Sequence, residues 1–129
     1  MTEYERKIFE LTNTVRPRFG LEPLIWDDGL AEIARAHSRD LAENNIFSHA
    51  GSDGSSPEQR VRKAGVAARF MGENISAGRH LPEAAMRDWM NSDGHRANIL
   101  HNDAIYLGVG AVYLGSSKFK FYVTQIFGR

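Results

Sequence analysis

Apolar residues recur at helical spacing along the first two-thirds of the chain and at strand spacing near its end. Over residues 3–15, Ile8, Leu11 and Val15 share one face, and Pro17 just beyond predicts the stop. Asp27 or Asp28 is placed to cap a second helix with the stripe Leu30, Ile33, Ala34, His37 and Leu41. Its Glu32, Arg35, Arg39 and Glu43 are expected to face away. A Ser/Gly-rich loop from Asn45 to Ser55 follows. Ser56-Pro57-Glu58-Gln59 then reads as a capping box with proline at the first helical position, opening a short helix that ends near Gly65. Met71 to Ala77 fits a short strand. Pro82 opens a helix with Ala85, Met86, Trp89 and Met90 inward, and Ser92 or Asp93 caps a brief turn through Leu100. Residues 106–114 and 118–127 read as two strands joined by Gly115-Ser116-Ser117; in the second, Phe119, Phe121 and Val123 alternate with Lys118, Lys120 and Tyr122. Four or five helices and a small antiparallel sheet predict an α+β domain with helices layered on the sheet.

Composition narrows the class. A chain of 129 residues is expected to form one domain, spanning 1–129. With 42% hydrophobic and 25% charged residues it is neither a disordered tail nor a fibre. No stretch approaches the roughly 20 apolar residues that span a bilayer. Sixteen basic residues balance sixteen acidic ones, which argues against a general nucleic-acid surface. With no cysteine, disulfides, thiolate nucleophiles and Cys-type zinc sites are excluded. Met1 to Lys7 is polar and has no apolar core of a signal peptide. The expectation is a cytoplasmic protein or a chain that begins after a removed export segment.

The chemistry rests with five histidines. His37 lies on an apolar stripe, where packing plus one hydrogen bond is expected; His80 and His101 lie in polar loops and are expected in solvent. His49 leaves a helix into the Ser/Gly loop, and His95 sits at a helix junction. Between them Glu73 occupies a strand among apolar neighbours, a costly place for an unpartnered carboxylate. Two imidazoles and one carboxylate suffice for a divalent ion with an open position, or for a metal-free acid/base cluster. Trp89 reads as core, Asn74 as a partner of loop backbone, and Arg96 as a partner of Asp93 or Glu73. Ser48 beside His49 does not make a nucleophile, because adjacent residues rarely point at each other and no G-x-S-x-G elbow is present.

Several segments follow one another in a familiar order: Asn13 to Arg16, Leu24-Ile25-Trp26-Asp27, Ala34 to Ser38, Phe47-Ser48-His49, Gly72-Glu73-Asn74-Ile75, Trp89 to Leu100, and Gln125-Ile126-Phe127-Gly128. In combination they resemble the CAP superfamily (cysteine-rich secretory, antigen 5 and pathogenesis-related proteins), and most of all its bacterial SCP-like extracellular branch. The resemblance implies an α–β–α sandwich with a central antiparallel sheet and a shallow cleft lined by two histidines and two glutamates. By position His49, Glu73 and His95 match three of these. The second glutamate normally follows the helix tryptophan, but here Met90, Asn91 and Ser92 follow Trp89, and Asp93 is the nearest carboxylate. Asn74, Asp93 and Ser92 are then expected to line the cleft. The implied protein is an extracellular or cell-envelope binding module. Its His49, Glu73 and His95 hold zinc or another divalent metal, and its ligand comes from cell wall, lipid or protein. The alternative is a metal-dependent hydrolase, peptidase or cell-wall acting, with Glu73 as base.

Overall fold

A computed structural model describes all residues, 1–129. Helix α1 (Glu3–Arg18) begins with a complete capping box, Thr2 bonding the Glu5 N–H and Glu5 returning the bond. It runs through Pro17 to Arg18, just beyond the predicted stop. The fixed φ of proline suits a helix, and in the last turn its missing N–H costs only one bond. Strand β1 (Ile25–Trp26) is followed by α2 (Asp28–Asn44), capped by the Asp27 side chain on the Leu30 N–H. The capping box at Ser56 opens α3 (Pro57–Ala64), which Gly65 ends in the left-handed region at φ 72°. Then come β2 (Phe70–Ala77), α4 (Pro82–Met90), α5 (Asp93–Ile99), β3 (Tyr106–Tyr113) and β4 (Phe121–Gly128).

The strands form one sheet in the order β1-β3-β4-β2. The β2–β4 and β3–β4 pairs are antiparallel, as expected. The short β1, which the pattern did not reveal, runs parallel to β3 through Ile25 and Trp26. Side chains alternate across β3 and β4. Leu107, Val109, Val123 and Phe127 join Ile8, Trp89 and Ile99 in the core beneath α1, α4 and α5. Ile126 and Tyr122 join the α2 side, with Leu30, Ala34 and Leu41. The molecule is therefore the expected α–β–α sandwich.

Covering both faces overturns the alternation predicted for the last strand. Tyr122 and Val123 are equally buried, because a central strand in a sandwich has no wet face. The strand also begins at Phe121 rather than 118; Lys120 takes a left-handed φ of 66° in the preceding turn, which leaves Phe119 exposed.

Two glycines set the distance between α2 and the sheet. A Cβ on Gly110 would lie 2.0 Å from the Arg35 nitrogen, and one on Gly108 would lie 2.2 Å from the Ala31 nitrogen. The helix backbone thus rests on the strand backbone, which only glycine permits.

Two buried charges brace the other layer. Glu5, fully buried, accepts two hydrogen bonds of 2.9 Å from Arg35, one from the Ala111 N–H and one from the Thr2 N–H. Arg35 therefore does not face away as its place on the helix suggested: it bends toward the carboxylate, which in exchange is spared an unpaired burial. Arg16 has no carboxylate and donates instead to the carbonyls of Glu22, Ile99 and His101, tying the end of α1 to the end of α5. Burial pushes its pKa down.

Candidate functional site

Glu73 sits at the middle of β2 with its side chain only 1% exposed. A carboxylate so placed must have partners, and three side chains surround it. His49 Nδ1 lies 2.8 Å from Oε1, Arg60 Nη2 donates to Oε2 at 3.1 Å, and His37 Nε2 stands 3.9 Å from Oε1. Each comes from a different element: His37 from α2, His49 from the loop after it, and Arg60 from the first turns of α3. Arg60 also donates to the His49 carbonyl at 2.9 Å and to Ser55 O at 2.8 Å, so one guanidinium fixes both the carboxylate and the loop.

The hydrogen bond to Glu73 defines the His49 ring. Nδ1–H donates to the carboxylate, so the neutral ring carries its lone pair on Nε2, and the side chain is 52% exposed. The same bond raises the His49 pKa above the usual histidine value, against the effect of burial. His37 is buried; its Nε2–H donates to Ser48 O at 2.9 Å, the single hydrogen bond expected, and Nδ1 has no partner. Burial lowers its pKa.

His95 stands on α5. Its Nδ1 meets the Ser92 hydroxyl at 3.0 Å, and its carbonyl accepts from Asn74 Nδ2 at 3.1 Å. Burial lowers its pKa, and so, to a lesser degree, does the charge of His49. Asn74 is fully buried and bonds Gln125 and Asn98 besides the His95 backbone. It thus fastens α5 to the sheet from beneath rather than lining the cleft.

A cavity of about 380 Å³ opens next to this cluster, walled by Phe47, Ile75, Ala77, Arg79, Ser92 and His95 among others. His49 and Glu73 are not in that wall; each lies two residues along the chain from a wall residue, Phe47 and Ile75. Asp93 stands exposed at the start of α5 and is not part of that wall; the carboxylate there is Asp88, which Arg79 pairs at 2.7 Å. A similar cavity of about 400 Å³ between α3 and β2, lined by Val61, Arg62 and Phe70, gathers no comparable side chains.

Trp89 is core, as expected, and its indole N–H donates to Ile75 O at 3.0 Å. Arg96 pairs with neither Asp93 nor Glu73; its guanidinium lies 5.0 Å over the Phe19 ring, because α5 faces the end of α1 on that side. The Ser48 hydroxyl accepts from the Ala50 N–H and takes no part with His49. Sequence reasoning missed Arg60. Its only signal was an arginine one turn inside a capping box, on a face that reads as solvated.

The side chains gather no set of three His, Asp or Glu in a metal-holding arrangement. Glu73 fits the part of ligand poorly, since both its oxygens are engaged and a guanidinium adjoins it. It fits the part of an outer partner that orients a histidine. His49, with its outward Nε2 on a half-exposed ring, has the chemistry of a ligand.

Known proteins share this arrangement of elements. The Bacillus subtilis protein YkwD is 41% identical over 116 residues, covering 90% of this chain and 45% of that protein. The chain spans less than half the length of the curated relatives it matches. A crystal structure of an extracellular protein containing an SCP domain from Bacillus anthracis aligns with a TM-score of 0.84 at 36% identity, over 98% of this chain and 40% of that one. An outer surface protein of Borrelia burgdorferi shares the fold, with a TM-score of 0.90 at 21% identity over 99% of this chain and 93% of its own. No helix here is long and apolar enough to cross a membrane. With residues 9–127 matching the CAP profile, the chain belongs to the cysteine-rich secretory protein family.

Proposed function

We propose that this domain is an extracellular binding module of the cell envelope, and that its cleft takes up a ligand beside a divalent ion such as zinc held by His49 and His95. The observation that carries the reading is the His49–Glu73 hydrogen bond. It fixes the tautomer and leaves Nε2 free on a half-exposed ring. When bound, the ion would supply a Lewis-acidic point for an oxygen or nitrogen of the ligand. Glu73 and Arg60 hold His49 in place, and Ser92 and Asn74 do the same for His95. Location outside the cell is the reading that the extracellular relative supports.

A hydrolase needs a carboxylate free to take a proton from water. Glu73 is buried and engaged at both oxygens, so the binding reading is preferred. Calorimetric titration with zinc tests it. The parent protein is expected to bind, and His49→Ala and His95→Ala each to lose most of the affinity. Zinc binding no tighter than about millimolar, roughly −4 kcal/mol, would end the metal part of the reading. Equal binding by the double variant would do the same.

A further inference from the structure

The cavity beside His95 has an open sheet edge for its base. Strand β2 is the last in the sheet, and the Gly78 N–H donates to Phe121 O at 2.8 Å, which sets the phase of the ladder. With the register Ala77↔Tyr122 and Ser76↔Val123, the backbone groups of Ser76 and Asn74 face β4. Those of Glu73, Ile75 and Ala77 turn the other way. The protein covers most of that outer edge with its own side chains. Asn98 donates to Glu73 O at 3.1 Å, and Trp89 donates to Ile75 O at 3.0 Å. The cover ends at Ala77, which is half-buried in the cavity wall, and no strand or side chain takes its N–H or C=O.

We propose that the cleft binds an extended peptide segment by strand addition, the ligand backbone pairing with Ala77 and presenting a further carbonyl to the Ile75 N–H. The inference rests on the cleft being the ligand site, and not on the metal.

The chemistry of the walls favours this occupant. One residue offering both a donor and an acceptor in strand geometry is the complement of a peptide unit. The remaining groups include two outward N–H donors and the Ser92 hydroxyl. The nearest carboxylates are already engaged, Glu73 by Arg60 and His49, and Asp88 by Arg79 at 2.7 Å. A ligand rich in carbonyl acceptors meets these needs. An unprotected edge is also a hazard for unwanted pairing, which folded proteins ordinarily suppress. Here the suppression covers the carbonyls of Glu73 and Ile75 and stops at the cavity.

The probe is a pool of N-acetylated, C-amidated peptides of about five residues, the length of an ordinary strand. It is titrated into the ¹⁵N-labelled protein with zinc present and absent. The Ile75 and Ala77 amide resonances are expected to move, and a pool N-methylated on alternate amides is expected to leave them in place. Ala77→Pro removes one donor from an edge position that tolerates proline, and is expected to weaken pool binding about tenfold with zinc affinity unchanged. Ala77→Gly, which keeps the N–H, should bind like the parent. The proposal is overturned if the pool leaves the two amides unmoved, if the methylated pool moves them equally, or if Ala77→Pro binds as the parent does. Loss of zinc binding with peptide binding intact would count against the metal reading alone.

Discussion

Removing the Glu5 carboxylate is expected to erase a large part of the stability margin, although Glu5 touches no part of the cleft. Its carboxylate accepts four hydrogen bonds: two from Arg35, one from the Ala111 N–H and one from the Thr2 N–H. Breaking a buried ion pair costs about 3–5 kcal/mol, because the surviving partner is left without compensation. Arg35 is 30% exposed and regains some water, which places Glu5→Ala near the lower end of that range. The Ala111 N–H has no second acceptor and contributes about 1 kcal/mol or more of the loss. Against a typical total of about 5–15 kcal/mol, such a change is readily seen in urea denaturation at pH 7.

The sign with pH is fixed as well. Burial raises the Glu5 pKa, but the bonds from Arg35, Thr2 and Ala111 outweigh it and the net shift is downward. The stabilisation is therefore complete above the unfolded value of about 4.3 and is lost as pH falls through the lower folded value. Glu5→Gln should flatten the stability curve of the protein in that acid range. A loss below about 1 kcal/mol for Glu5→Ala, or an unchanged acid slope in Glu5→Gln, would refute the reasoning.

Three further outcomes are expected. Gly110→Ala forces a Cβ into the α2 backbone and should cost about 3 kcal/mol or more, seen as a lower melting temperature, since neither backbone can yield without lifting the helix. Arg60→Ala removes a positive charge that holds the His49 pKa down, so proton NMR titration should find the His49 ring titrating at higher pH than in the parent. Zinc competes with protons for the two imidazoles, so its affinity should fall as pH is lowered. Because His49 has a raised pKa, that fall should begin on the alkaline side of about 6.5; calorimetry between pH 5 and 8 checks it.

The helices were legible because their signals are local. Asp27, Ser56 and Pro82 announce their helices within a few residues, and the structure starts each one there. Strand β1 was hidden because two residues hold no periodicity, and its pairing with Tyr106 and Leu107 is purely tertiary. The Glu5–Arg35 pair was hidden for a related reason. On their own helices both look solvated, and only the assembly of α1 and α2 about β3 buries one and bends the other toward it. At the site, His49, Glu73 and His95 could be named because the segments around them resemble a known order. Arg60 could not, since its value lies in reaching Glu73 from a neighbouring helix. Asn74 and Asp93 show the limit of neighbourhood as a guide: one residue along a strand or helix changes the face, sending Asn74 beneath the cleft and Asp93 into solvent.

The bond from Ala111 to Glu5 joins positions 106 apart, and that from Gln125 to Thr12 joins positions 113 apart. During synthesis the first helix therefore emerges long before the strands that satisfy it. Until β3 and β4 leave the ribosome, Glu5 lacks its Ala111 partner, and α1 has only α4 and α5 to settle against. Folding must then be a late event, slow for a domain this small, with a window in which chaperones and proteases can reach the nascent chain.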